Sequence, residues 1–142
     1  MIVNNDSLKA SLRIAGSGIE TQAARLRVIS ENIANAQSTA SVSGGEPYTR
    51  QTITFEDSLD RASGVALVKV KQIGLDSAPF RIEQDPGNPA ADDKGFVKLP
   101  NVDVMVELAD LREANRSYEA NLQVAKQSSD LMNQTVSLLK DI

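Results

Sequence analysis

NVDVMVELADLREANRSYEANLQVAKQSSDLMNQTVSLL, residues 101–139, reads as one uninterrupted helix, and the rest of the chain has to be fitted to it. Apolar or small residues recur at Val104, Leu108, Leu111, Tyr118, Leu122, Ala125, Met132, Val136 and Leu139, with Asn115 and Ser129 at the two missing places. The steps alternate four and three, which is the pattern of a helix lying along a partner helix. At a rise of 1.5 Å per residue the stretch is ~55 Å long, more than a domain of 142 residues needs. Its partner must be found in this chain or in another.

The N-terminal stretch supplies one. Asp6 or Ser7 is an expected N-cap, and the sequence runs helical to about Ala36. Its seam is Leu8, Leu12, Ala15, Ile19, Gln22, Leu26, Ile29, Ile33 and Ala36, again in steps of four and three. Gly16 and Gly18 each cost a helix roughly 1 kcal/mol against Ala, and they leave a thin place where a neighbouring helix can approach. Charge supports the pairing. Lys9, Arg13, Arg25 and Arg27 outnumber Asp6, Glu20 and Glu31 on the first helix, whereas acids outnumber bases on the second. One pair of such helices buries too little apolar surface to offset the ordering of both. The chain is expected to finish folding in company.

Between the helices the pattern changes. Gln37 to Glu46 is rich in Ser, Thr, Ala and Gly and reads as a mobile loop. Period-two alternation follows in Thr49–Glu56 around Ile53 and Phe55, at Val68 and Val70, and at Phe80 and Ile82, with Phe96–Leu99 as a fourth short strand. Asp85 to Gly95 is dense in turn formers, and Pro100-Asn101 breaks the chain before the last helix. The expected fold is mainly α with a small β insert. Residues 1–37 plus 101–142 form a helical domain paired as a coiled coil, and residues 38–100 form a loop and the insert.

Composition narrows the chemistry. His and Cys are both absent, which removes the commonest general base, the commonest metal ligand and any disulfide framework. Asp85, Asn88, Asp92 and Asp93 lack the spacing of a calcium loop and read as turn residues. Gly16-Ser17-Gly18 has no following Lys-Ser/Thr and is not a phosphate loop. The carboxylates of the last helix are scattered singly and read as a solvated face. Neither an enzyme, a cofactor nor a metal site is expected. A net charge of −4 argues against nucleic acid, and an acidic C-terminal helix against lying on a membrane. No stretch is apolar enough to span a bilayer, and the N-terminus lacks the features of a cleaved signal. What remains is protein assembly through the two seams, with Asn115 as a polar residue that fixes register.

Several segments carry a resemblance. Ser30-Glu-Asn-Ile-Ala-Asn-Ala-Gln-Ser-Thr39, with Asn32 and Asn35, resembles the N-terminal signature of bacterial flagellar rod and hook proteins. Pro47-Tyr-Thr-Arg-Gln-Thr-Ile-Thr-Phe55 looks like the segment that follows it. Asp85-Pro86-Gly87-Asn-Pro89, Gly95-Phe-Val-Lys98, Pro100-Asn101-Val-Asp103 and Arg116-Ser-Tyr118-Glu-Ala-Asn121 resemble the proximal members of the flagellar basal-body rod family in particular. Phe96 stands where those proteins usually have Tyr. The resemblance implies a structural subunit that assembles with copies of itself and other rod proteins into a hollow helical drive shaft in the periplasm. It implies an encounter with the flagellar export apparatus, without a cleaved signal, and neighbours among the basal-body ring proteins and the rod-base adaptor. A sibling rod or hook protein, or a coiled-coil adaptor outside flagella, are the alternatives.

Overall fold

A computed structural model describes residues 5–140, with side chains from 6 to 138. The seam position Leu139 therefore lies outside the described side chains. Two long helices, α1 (Asn5–Asn35) and α2 (Val104–Lys140), flank four strands: β1 (Gln51–Asp60), β2 (Val65–Leu75), β3 (Arg81–Gln84) and β4 (Phe96–Leu99). The chain is mainly helical with a small β part, as the patterns require.

The helix ends differ from expectation in instructive ways. α1 already includes Asn5, so Asp6 and Ser7 stand inside its first turn and neither is the cap. Asp6 there is a negative charge near the positive end of the helix dipole. α2 begins three residues later than expected. Asp103 caps it, its Oδ1 accepting the N–H groups of Met105 at 2.9 Å and Val106 at 3.4 Å.

β1 and β2 pair in one two-stranded sheet, β3 and β4 in another. Only Arg61–Gly64 separates β1 from β2, too short a connection for a crossover, so that pair is an antiparallel hairpin. It is longer than the alternation of Ile53 and Phe55 suggested, because pairing carries on through Asp57–Asp60. Asp60 closes the turn. Its carbonyl accepts Ser63 and Gly64 N–H, and Gly64 takes a φ of 68°. In the second sheet Arg81 faces Leu99 and Ile82 faces Lys98, antiparallel.

The described residues separate by contact into two compact units. One holds the residues up to Arg25, Thr54–Lys71 and those from Glu113 onward; the other holds Leu26–Ile53 and Gln72–Arg112. Each takes part of both helices and part of the insert. The second unit carries the larger apolar core, with Val28, Ile29, Ala36, Ala90, Val97, Leu99 and Val102 buried. The first buries mainly small side chains, Ala15 and Ala114 beside Thr21 and Ser128, with Leu8 at one end.

The 37–46 segment, read as a mobile loop, is tied down. Gly44 N–H donates to the Ala90 carbonyl at 3.0 Å, and the Ser43 hydroxyl donates to the Ala91 carbonyl. These bonds fasten it to the 85–95 turn. That turn is built as its Asx residues suggest. Asn88 Oδ1 accepts Ala90 N–H at 3.0 Å, and Asp92 Oδ1 accepts the N–H groups of Lys94 and Phe96, each at 2.9 Å. Asp85 N–H to the Gly95 carbonyl closes it, with Gly95 at φ 81° against Pro86. Pro89 and Gly87 lie exposed on its rim.

Candidate assembly site

In the second unit a buried polar knot joins the two helices to the insert. Asn32, near the end of α1, is almost wholly buried and uses all four hydrogen-bonding positions of its amide. Oδ1 accepts Gln51 N–H and the Tyr48 hydroxyl, each at 2.8 Å. Nδ2 donates to the Gln51 carbonyl at 2.9 Å and to Glu107 Oε2 at 3.2 Å. One side chain thereby acts like a neighbouring strand for the first residue of β1.

Glu107 is the other half of the knot. It was grouped with carboxylates of a solvated face, and that reading is corrected: its exposure is 0%. Arg50 Nε donates to Glu107 Oε1 at 2.6 Å, and Arg50 Nη1 to Asp76 Oδ2 at 3.1 Å. Burial alone would pull the Arg50 guanidinium down, but Glu107 and then Asp76 more than offset this and raise it above its usual value. The Asp76 carboxyl is lowered, first by the Ala78 N–H it accepts and then by Arg50. Burial raises the Tyr48 hydroxyl, and the charge of Glu31 adds to it. Asn101 completes the network. Its Oδ1 accepts Arg50 N–H at 2.8 Å, and its Nδ2 reaches the Ala78 carbonyl at 2.9 Å. Arg81 donates to the carbonyls of Ala36 and Pro100 at 3.1 and 3.2 Å, tying the end of α1 to the approach of α2.

In the first unit the helices meet antiparallel over small residues. A Cβ at Gly18 would lie 2.7 Å from the Asn121 amide, so the absence of a side chain is what permits the approach. Gly16 has nothing within 4 Å and plays no such part. Arg25 and Glu113 pair at 3.6 Å. The Ser17 hydroxyl accepts Val68 N–H at 3.3 Å, fastening α1 to β2.

The expected seam residues are buried to different degrees. Leu8, Ala15, Ile29 and Ala36 are buried and Gln22 half-buried, whereas Leu12 is exposed and Ile19, Leu26 and Ile33 are half-buried. On α2, Leu111, Tyr118, Ala125 and Met132 are half-buried, as is Val104. Leu108, Leu122 and Val136 are 38%, 50% and 43% exposed, and Asn115 is exposed with them. The most buried track on α2 runs one residue earlier, through Glu107, Ala114, Asn121 and Ser128. It repeats every seven residues, as does Gly18, Arg25 and Asn32 on α1. That heptad of small and polar residues was the available signal. It was overshadowed by the apolar one beside it. Arg116 and Asn35 lie near the surface, Asn35 donating to the Glu31 carbonyl at 2.8 Å.

Among the described residues no group of acidic side chains is arranged to hold a metal, and no helix is long and apolar enough to cross a membrane. The described residues offer long helices with large apolar side chains left exposed, and an insert fastened to both of them. Comparison with known proteins supplies the class, structural subunits of the flagellar basal-body rod. Residues 12–40 match the family model described as flagella basal body rod protein, and residues 93–138 match that of the flagellar basal body rod FlgEFG protein C-terminal region. The flagellar basal-body rod protein FlgC of Agrobacterium fabrum is 58% identical over 95% of this chain and 97% of its own length. The FlgC proteins of Salmonella typhimurium and Borreliella burgdorferi are 40% and 34% identical, over 88% and 94% of this chain and 92% and 98% of their own lengths. The chain belongs to the FlgC family of flagellar basal-body rod proteins.

Proposed function

We propose that this subunit builds the proximal rod by burying the outward apolar stripes of α1 and α2 against copies of itself and other rod proteins. Residues 1–37 plus 101–142 then act as the axial core of a hollow helical shaft, and residues 38–100 lie outside it. The shaft transmits torque and surrounds part of the export path. The chain reaches the periplasm through the flagellar export apparatus without a cleaved signal, and at its base meets the rod-base adaptor and ring proteins.

The observation that carries this reading is the exposure of Leu108, Leu122 and Val136 on one repeating stripe of α2. A self-sufficient helical pair turns its large apolar side chains inward and its small polar ones outward. Here the contacts inside the chain run through Gly18, Asn121, Asn32 and Glu107, and large apolar residues face out. Such a stripe marks an interaction surface. Purified basal bodies provide the test. The tagged chain should copurify with the rod, and deletion of its gene should leave the export apparatus without a rod. A chain recovered only from the cytoplasm of motile cells would overturn the proposal.

A further inference from the structure

Gly16-Ser17-Gly18 interrupts the first half of α1, and contacts within the chain account for only one of its glycines. Gly18 is required by Asn121, whereas Gly16 is exposed and a Cβ there would meet nothing within 4 Å. A glycine inside a helix adds backbone freedom and lets water reach the backbone. The side chains around it draw on the same backbone. The Ser17 hydroxyl donates to the Ile14 carbonyl at 2.8 Å, and the Thr21 hydroxyl lies 3.0 Å from the carbonyls of both Ser17 and Gly18. Hydroxyls that bond back into the preceding turn weaken and bend a helix, and Gly/Ser pairs are where kinks form.

The helix is held differently on the two sides of this stretch. Beyond it Thr21, Val28, Ile29 and Asn32 are buried in succession. Before it, among the described residues, Leu8 and Ala15 are buried while Lys9, Leu12, Arg13 and Ile14 are exposed. An open groove of about 630 Å³ runs beside this arm, lined by Lys9, Leu12 and Arg13 on α1 and by Ala62, Ser63 and Val65 at the β1–β2 turn. Arg13 Nη1 pairs with Asp60 Oδ2 at 2.6 Å, joining the arm to that turn, and the arginine side chain is half exposed.

We infer that residues 16–21 are a hinge and the Arg13–Asp60 pair its clasp: residues 6–15 swing away from the β1–β2 turn as an intact helical arm while the rest of α1 stays in place. The inference is independent of the rod reading. An exposed ion pair contributes little, so the clasp opens readily and holds less firmly as salt screens it. Opening uncovers Leu8 and Ala15, which the closed arm buries.

The chain has no cysteine, so nitroxide labels go only where cysteines are introduced. Pulsed electron paramagnetic resonance on the full chain then measures two distances, Lys9→Cys to Ala62→Cys across the clasp and Ala23→Cys to Ala62→Cys beyond the hinge. All three positions are exposed. The first pair should give two peaks, closed and open, and the second a single peak. Arg13→Gln should raise the open fraction roughly two- to fivefold, and Arg13→Lys, which keeps a cation for Asp60, should leave it near the parent. Gly16→Ala should lower it about fivefold, because alanine resists the non-helical backbone that the bend needs. A single closed peak from the first pair would overturn the inference, as would the featureless spread of distances that a frayed helix end gives. So would an open fraction indifferent to Arg13→Gln or to Gly16→Ala. Two peaks from the second pair would overturn it too, since the whole helix would then be leaving.

Discussion

The amide of Asn32 meets the carboxylate of Glu107 at 3.2 Å, across 75 residues of sequence, and both groups are almost completely buried. The bond joins the last turn of α1 to the first turn of α2. Arg50 reaches the same carboxylate from the insert at 2.6 Å. The three segments that must converge at this end of the second unit are therefore held by one charged, fully engaged cluster rather than by apolar packing alone.

Asn32→Asp should expose this dependence. The substitution keeps the acceptor for Gln51 and Tyr48 but loses both donors and sets a second carboxylate against Glu107. Unsatisfied and repelling buried groups of this kind cost about 2–4 kcal/mol at pH 7. Urea denaturation at pH 7 measures it, and a midpoint equal to the parent's would contradict the role assigned to Asn32.

Removing the charge pair piecemeal should be worse than removing it whole. Glu107→Leu leaves the Arg50 guanidinium part-buried with only Asp76, a loss of about 3 kcal/mol. Adding Arg50→Met should return about 1–2 kcal/mol of this, because no unpaired charge then remains. A double-mutant cycle on unfolding free energies decides the sign.

The two glycines of Gly16-Ser17-Gly18 should respond oppositely to alanine. Gly16 has open space around it, so Gly16→Ala should stabilise α1 by up to ~1 kcal/mol through helix propensity. At Gly18 the added methyl would sit 2.7 Å from Asn121, and the helices must separate or the amide must turn. Gly18→Ala should therefore destabilise. Thermal melts of the two variants and the parent give the order directly.

These positions show what the sequence revealed and what it concealed. Both helices and all four strands were legible, because long apolar periods and short alternations are local signals. The contact inside the chain was not. It uses Gly18, Asn121, Asn32 and Glu107, and each of these read alone as a packing gap, a motif residue or a solvated charge. The burial of Glu107 depends on Arg50 in the insert, and no period along α2 encodes that. The fastening of the 37–46 loop likewise rests on backbone groups of Ala90 and Ala91, to which side-chain patterns are blind.

Stability should fall in acid. The carboxyls of Asp60, Asp76 and Asp92 are all lowered, by Ser63, by Ala78 N–H and by Phe96 N–H respectively. A carboxylate lowered in the folded chain contributes stability that is complete above its unfolded pKa of about 3.9. That contribution is lost as pH falls through the folded value. The urea midpoint should hold level from pH 7 to about 5 and drop below about 4, and Asp92→Asn should soften the drop. A midpoint that rises below pH 4 would contradict these assignments.

Leu122→Asp should block incorporation into the rod while leaving the chain itself folded. In the free chain Leu122 is half exposed, so a carboxylate there remains in water and costs little. Circular dichroism and melting temperature should stay close to the parent. In the assembled shaft the same position is proposed to be covered by a neighbour. The carboxylate must then be desolvated or protonated, costing several kcal/mol, and about 2 kcal/mol of apolar burial is lost with it. The penalty recurs in every copy. Glu119→Lys, at another exposed position on α2, should be mild by comparison, because exposed charges contribute little. Motility and the fractionation of each variant between cytoplasm, periplasm and purified basal bodies provide the readout. Leu122→Asp should leave cells non-motile with the variant absent from basal bodies. If those cells swim normally and carry the variant in their rods, the stripe through Leu108, Leu122 and Val136 is not where the subunits meet.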